Sequence, residues 1–405
     1  MTSLADEALA LAGRIDELLS SGSLGALEAG PRRKLSEAAR KLNLATEATG
    51  DTVHRIVHSP LQLPLTLVGL ETGLFETLEK KKEATNADLA IATKVDPILM
   101  KRLLRYYQSF GIVDQPSDDR YRANNITSAM ISPGGLAGVP FYLGTLVPAF
   151  NALPEFLRKT EYANVTDGAN CPWYLGHNTT EQAFEWVKER PDMRGHFMSW
   201  MVHQRDGLPT FLDVVDFEKE FSGHSPNDPV FVDIGGALGH QCIALRQKHP
   251  GLVGRIILQD REETIQQINA KPISDFQGIE AHAYNFFTPQ PVKGARAYYL
   301  RNILHDWPDD KCVEILGNVK SAMTRDSRIL IDEMVLPERG APWRATQLDL
   351  AMSACFAATE RSRAHWDSLL GKAGLTILEV RKYTDQLDDS IIVAVPNDQN
   401  KASVS

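Results

Sequence analysis

The ten residues VFVDIGGALG at positions 230–239 constrain this chain more than any other stretch. Five strand-favouring residues run straight into paired glycines, and QCIALR at 241–246 then reads as a helix. A strand that stops at glycine lets backbone approach a ligand closely, and the helix after it points free N–H groups at that ligand. The unit is a seat for a nucleotide-type cofactor.

Strands and helices alternate from here onward. The pattern predicts strands at 230–234, 255–259, 280–284, 297–301, 328–334, 376–382 and 391–395. One intervening helix is opened by Pro308 and another is closed by Gly374. Such alternation specifies an α/β, Rossmann-like domain, a doubly wound and mostly parallel seven-stranded sheet, over residues 229–397. The polar stretch 398–405 is expected to be a frayed tail.

The chain ahead of that domain is helical. Leu4, Leu9, Leu11, Ile15, Leu18 and Leu19 form an apolar stripe that Ser20 to Ser23 interrupts, and Pro31 opens a second helix with Leu35 and Leu42 on one side. Two short terminal helices cannot bury such stripes against each other alone. From 61 to 127 a helix through Leu70, Leu74 and Leu78 precedes a helix opening at Thr85 to Asp88 and a third capped by Asp96. A two-stranded wing follows around Pro116 to Asp119. This is a winged-helix pattern, with the third helix's stripe expected at Leu99, Leu103, Tyr106, Tyr107 and Phe110. Residues 1–130 are therefore expected to form a helical, winged-helix dimerisation domain. Residues 131–228, rich in rings and thioethers, form a helical linker that can wall a pocket for a flat apolar ligand.

Composition removes several function classes. A net charge of −9 over 405 residues argues against nucleic-acid binding, even though Lys101, Arg102 and Arg105 lie on the outer side of the third winged-helix segment. Four dispersed cysteines in apolar segments read as buried free thiols of a reducing compartment. With no leader-like N-terminus and no run of 18 apolar residues, the chain is expected in the cytoplasm, without a membrane partner.

Ligands of doubly wound sheets bind beyond the carboxyl ends of the strands. The first strand end carries Asp233 and the turn Gly235, Gly236, Gly239; the second carries Asp260, placed to hold both hydroxyls of a ribose. To this point a dinucleotide oxidoreductase and a nucleoside-cofactor transferase both fit. Asp233 ahead of adjacent glycines repels a pyrophosphate but suits the cationic, phosphate-free S-adenosylmethionine. The segment LRNILHDWP at 300–308 then places His305 where a substrate would meet the reactive end of the cofactor.

VDIGGALG, Asp260, LRNILHDWPDD, IDEMVLP and DLAMSACFAATERSRAHWDSLLGKAGL together resemble the small-molecule O-methyltransferases of the plant caffeate type and their fungal natural-product relatives, in that family's order and over most of the chain. The resemblance implies a class I methyltransferase domain behind a winged-helix unit, S-adenosylmethionine as methyl donor, no metal, a small-molecule acceptor and a homodimer. Position by position it makes His305 the general base and Glu333 and Glu360 the acids that orient it. Asp233, Gly235, Gly236, Gly239, Asp260, Asn285, Phe286, Arg301 and Trp307 fall to the cofactor; Phe197, Met198, Met201, Asp306, Met352 and Phe356 to the acceptor.

Three positions depart from the family pattern. Ala237 replaces a frequent glycine, where a methyl is tolerable if φ is negative, Asn285 replaces an acid, and Arg301 stands for a frequent lysine. The reaction implied is transfer of a methyl to a hydroxyl of an aromatic or polycyclic secondary metabolite, a phenol or the N-hydroxyl of an indole alkaloid. A non-catalytic winged-helix regulator that binds cofactor or DNA, and a methyltransferase-fold enzyme with altered chemistry, are the alternatives.

Overall fold

The computed structural model describes residues 3–397, so the expected tail at 398–405 lies outside the described residues. These residues form two compact units that part between Val68 and Gly69, inside the expected domain 1–130.

In the first unit the helices Leu4–Ser20, Ala29–Thr46 and Thr49–His58 bury none of their residues. Ser3 and Asp6 form a reciprocal capping box at its start. Leu4, Leu9, Leu18, Leu19, Val53 and Ile56 stand exposed along these helices.

The second unit opens with the winged-helix segment: helices Leu74–Lys81, Asn86–Thr93 and Pro97–Ser109, then strands Val113–Ser117 and Arg120–Ala123. Thr85 caps through a box with Asp88, and Asp96 accepts from the N–H groups of Ile98 and Leu99, as the residue types predict. Three details differ from expectation. The first helix is separated from Gln62–Glu71 by Gly73 at φ 68°. A short strand, Glu83–Ala84, makes the sheet three-stranded. The third helix buries Met100, Leu103, Leu104 and Tyr107 while Leu99 and Phe110 stay exposed, because its inward face is turned by about one residue.

Residues Pro133–Lys159 run as one apolar helix with a π-turn at Tyr142–Leu146. It is long and apolar enough to cross a membrane, which the sequence reading did not anticipate. Its apolar side is nonetheless used within this unit, where Phe141, Leu146, Ala149 and Phe156 pack with Trp173 and with Ala351 and Ala354.

The seven expected strands are all present, each within a residue or two of its predicted limits. They are β1 (Pro229–Ile234), β2 (Arg255–Asp260), β3 (Ile279–Ala283), β4 (Ala297–Arg301), β5 (Arg328–Met334), β6 (Leu375–Lys382) and β7 (Asp389–Pro396). Their order is β3-β2-β1-β4-β5-β7-β6, parallel except for β7, which is antiparallel to both neighbours. Nearly every side chain of β1, β5 and β7 is buried, as a sheet covered on both faces requires. All four cysteines are free and buried.

Candidate active site

Strand order reverses between β1 and β4, so the turn after Ile234 and the loop after Arg301 flank one crevice. Gly235 takes φ 74° and Gly239 φ 86°. A Cβ on Gly236 would lie 2.4 Å from Asp233 Oδ2 and 2.5 Å from Leu258 Cδ1. The turn thus folds directly over the Asp233 carboxyl, which is 1 % exposed and, among the described residues, accepts a weak S–H bond from Cys242 at 3.6 Å. Burial pushes Asp233 up to about 7.

Ala237 sits at φ 49°, outside the negative range in which a methyl is tolerated without strain. Its N–H donates to Asp260 Oδ2 at 2.9 Å, while Arg261 N–H donates to Oδ1 at 2.8 Å. Asp260 therefore holds the turn in a left-handed conformation that costs an L-residue about 1 kcal/mol. Ala237→Gly removes that strain but loosens the unfolded chain, so a net change of about 0 to +1 kcal/mol in stability is expected. Denaturant unfolding that shows a clear loss would contradict this account.

Asn285 is exposed and accepts from Phe287 N–H at 3.1 Å, so its side chain folds back on its own turn. Phe286, Phe287 and Trp307 form an edge-to-face cluster with centroids 4.9–6.0 Å apart; Phe287 had not been singled out from sequence. Arg301 points into the protein, 3.7 Å from buried Asp332, which also accepts from the hydroxyls of Tyr299 and Tyr383. The guanidinium is thereby occupied as a counter-ion to a buried acid, where the sequence reading gave it to the cofactor.

His305 lies on a short 3-10 turn, Leu304–Asp306, just after β4. Its Nδ1 is 2.7 Å from Glu360 Oε1, which leaves Nε2 to face the cavity described below. Glu360 is set in turn by Asp349, whose Oδ1 accepts from its N–H at 2.8 Å. Glu333 acts differently from the expectation that both acids hold the ring. Its Oε1 accepts from the N–H groups of Ile303 and Leu304, both at 2.9 Å, and at 3.4 Å from His305 N–H, while Oε2 stays 3.9 Å from Nδ1. Glu333 fixes the loop backbone, and Glu360 fixes the imidazole.

Arg361, absent from the sequence-derived set, is fully buried and completes the support. Nη1 donates to Leu304 O and Nη2 to Trp307 O, each at 2.9 Å, and the fork grips Asp309 Oδ1 at 3.0–3.1 Å. The one signal for it was its place beside Glu360.

Burial by itself opposes a charged His305, but Glu360, Glu333 and Asp306 around it win and lift the imidazole to about 10. Burial raises Glu333 to about 7 and Asp306 to about 6. The ligand atoms of His305, Glu333 and Glu360 lie within 4.8 Å of one another, a spacing a metal ion could use. Hydrogen bonds already commit Nδ1 and Glu333 Oε1.

The turn borders a chamber of about 780 Å³, counting the space at its mouth. His305, Asp306, Phe197, Met201, Met352 and Phe356 line it as expected. Met198 does not: helix Pro191–His203 turns Phe197, Trp200 and Met201 inward, and a residue one position past Phe197 lies about 100° off that face. Tyr142 and Trp200, from the ring-rich region expected to wall a pocket, complete the wall together with Arg205 and Asn302, which sequence did not connect to this chamber.

Residues 162–376 match the O-methyltransferase domain family. The chain is 38% identical to O-methyltransferase ucdC of Aspergillus ustus, over 90% of this chain and 94% of that protein. The structure of LepI in complex with S-adenosylmethionine aligns with a TM-score of 0.87 at 35% identity, covering 97% of this chain and all of that one. A structure described as a pericyclic reaction enzyme aligns with a TM-score of 0.87 at 34% identity, over 96% of this chain and all of its own. Fold, strand-end residues and relatives agree that this chain belongs to the S-adenosylmethionine-dependent O-methyltransferase family.

Proposed function

We propose that this enzyme methylates a hydroxyl of an aromatic or polycyclic natural product, with His305 as general base. The observation that carries the reading is the 2.7 Å bond between His305 Nδ1 and Glu360, on a turn that lines a chamber walled by aromatic and Met side chains. With Nδ1–H given to Glu360, Nε2, which lies 3.6 Å from Asp306 Oδ1, is the ring atom that accepts the hydroxyl proton once the ring is neutral. A phenol near pKa 10 costs about 4 kcal/mol to ionise at pH 7, and a positioned base removes much of that cost as the O–CH3 bond forms.

S-adenosylmethionine supplies a methyl already activated by a sulfonium. The displacement needs no Lewis acid, because the sulfonium is itself the electrophile. The Gly235 to Gly239 turn and Asp260 would hold its methionine and ribose parts, and Phe286 with Trp307 the adenine side. The fit rests on a turn with no room for a Cβ at Gly236 and on Asp260, whose partly exposed carboxylate keeps acceptor capacity beyond its two backbone bonds. Asp233, raised by burial, would sit beneath the turn as a carboxyl that a cationic donor draws toward its charged form. Phe197, Met201, Asp306, Met352 and Phe356 would contact the acceptor, so that residues 131–228 contribute to its pocket and 229–397 to the donor site. The exposed apolar stripes of the first three helices support a homodimer built through residues 1–130.

Incubation with methyl-labelled donor and fungal metabolite extracts, read by mass spectrometry, tests the activity. A labelled product with one added methyl on oxygen is expected. Conversion of an acceptor without gain of label would favour altered chemistry instead.

A further inference from the structure

The acceptor chamber contains a buried cation that the reaction as proposed does not use. Arg205 follows helix Pro191–His203, lines the chamber and has a side chain only 12% exposed. Both of its hydrogen bonds come from one nitrogen: Nη2 donates to Asp389 Oδ1 at 3.3 Å and to Asn302 Oδ1 at 3.4 Å. Nε is buried without a partner, and Nη1 donates to no group among the described residues. A guanidinium carries five donors, and leaving a buried one unmatched is costly. Asp389 accounts for the charge, being fixed by the Thr384 hydroxyl at 3.1 Å, but not for the idle donors.

The position is as telling as the bonding. Asn302 opens the stretch between β4 and the turn that carries His305, and Asn302, His305 and Asp306 line the same chamber. A ligand oxygen at Arg205 would thus belong to the same molecule as the hydroxyl at His305. Most of the chamber wall is apolar, so a permanent cation there reads as a selector for one oxygen acceptor.

We propose that Arg205 is a specificity-determining residue that binds a carbonyl or carboxylate oxygen flanking the hydroxyl to be methylated. This rests on the reading of His305 as the base. The chemistry gives such a contact two effects. A hydroxyl next to a ring carbonyl is tied up in an internal hydrogen bond; a guanidinium that takes the carbonyl oxygen frees the O–H for His305 Nε2. An acceptor lacking the carbonyl leaves the desolvated cation unmatched and is rejected.

The test compares α-hydroxyanthraquinone with α-anthrol, which has similar ring area and hydroxyl position but no flanking carbonyl. Binding is measured on the full chain with S-adenosylhomocysteine present. The parent enzyme should favour the quinone by about tenfold or more, as one charge-assisted hydrogen bond predicts. Arg205→Met should bring the two to parity, and Arg205→Lys should keep part of the preference. The double variant Arg205→Met/Asp389→Asn removes both charges together and covers the case in which Arg205→Met alone fails to fold; donor affinity by calorimetry reports folding in each. A parent with no preference, or a preference that survives the loss of Arg205 in a folded variant, overturns the proposal. Failure of the base reading shows elsewhere, as label transfer that does not depend on His305.

Discussion

His305→Ala is expected to lower kcat for a phenolic acceptor by about 10²–10⁴-fold, the usual span for removal of a general base. Affinity for S-adenosylhomocysteine, which lacks the sulfonium charge, should stay within about threefold, because the turn at Gly235 to Gly239 and Asp260 lie on other strand ends. Turnover unchanged with a phenol would sink the assignment. An N-hydroxyl acceptor, being more acidic, should lose less, so the ratio of the two losses reports how much of the barrier is proton removal. Glu360→Gln should behave as a weaker version of the same change, since the amide keeps an acceptor for Nδ1–H but loses the charge behind it.

The electrostatics of the same ring add a pH signature. With its pKa raised to about 10, His305 carries a proton at neutral pH, when it cannot act as a base. A sulfonium about 5 Å away would disfavour that second cation by about 3 kcal/mol at an effective dielectric of about 20, roughly two pH units. Donor binding should therefore expel a proton between about pH 8 and pH 10, the raised pKa and the value two units below it. Affinity for S-adenosylmethionine is expected to rise with pH across that window and to be flat below it, where the ring is protonated in both states. Affinity for S-adenosylhomocysteine, which has the same amino acid part but no sulfonium charge, should rise less. Calorimetry in buffers of different ionisation heat measures the difference, and His305→Ala should erase it. Identical pH slopes for both ligands in the parent would show that the imidazole does not sense the donor.

The parts of this protein legible in its sequence are those set by local pattern. The seven strands of the large sheet were predictable because each reads as a short run between helical segments and turns, the parallel central ones as apolar runs buried on both faces. Caps at Thr85 and Asp96 were legible for the same local reason. Three features required the fold itself. Ala237 is held at positive φ by Asp260 from the neighbouring strand, against its own preference. Glu333 was read as a partner of the ring, but its distance to Nδ1 and its three backbone donors are tertiary facts. Arg205 and Asn302 come from segments 97 positions apart, and no spacing rule joins them. Strand ends thus showed where chemistry could occur, while the direction in which each side chain faces there depended on packing.

Arg361→Met is expected to cost about 3–5 kcal/mol of stability, the range for removing one partner from a buried, hydrogen-bonded charge pair. The guanidinium is fully buried, stacks 5.3 Å from the Trp366 ring and ties Asp309 to the carbonyls of Leu304 and Trp307. Methionine fills much of the volume but leaves two buried carbonyls without these donors and Asp309 with His365 alone. Because those carbonyls flank His305, the loss should also reach the chemistry. A displacement of the base by about 1 Å can cost about 100-fold. Two readouts separate positioning from mere stability. Below the unfolding transition, kcat should fall while donor affinity holds, and Glu360→Gln added to Arg361→Met should cost less than it does in the parent, since a displaced ring no longer meets Glu360 correctly. Arg361→Lys, with one ammonium in place of a fork, should recover stability in part and turnover less. A folded Arg361→Met enzyme with parental kcat would mean that Glu333 alone, through its three backbone bonds, is enough to hold His305 in place.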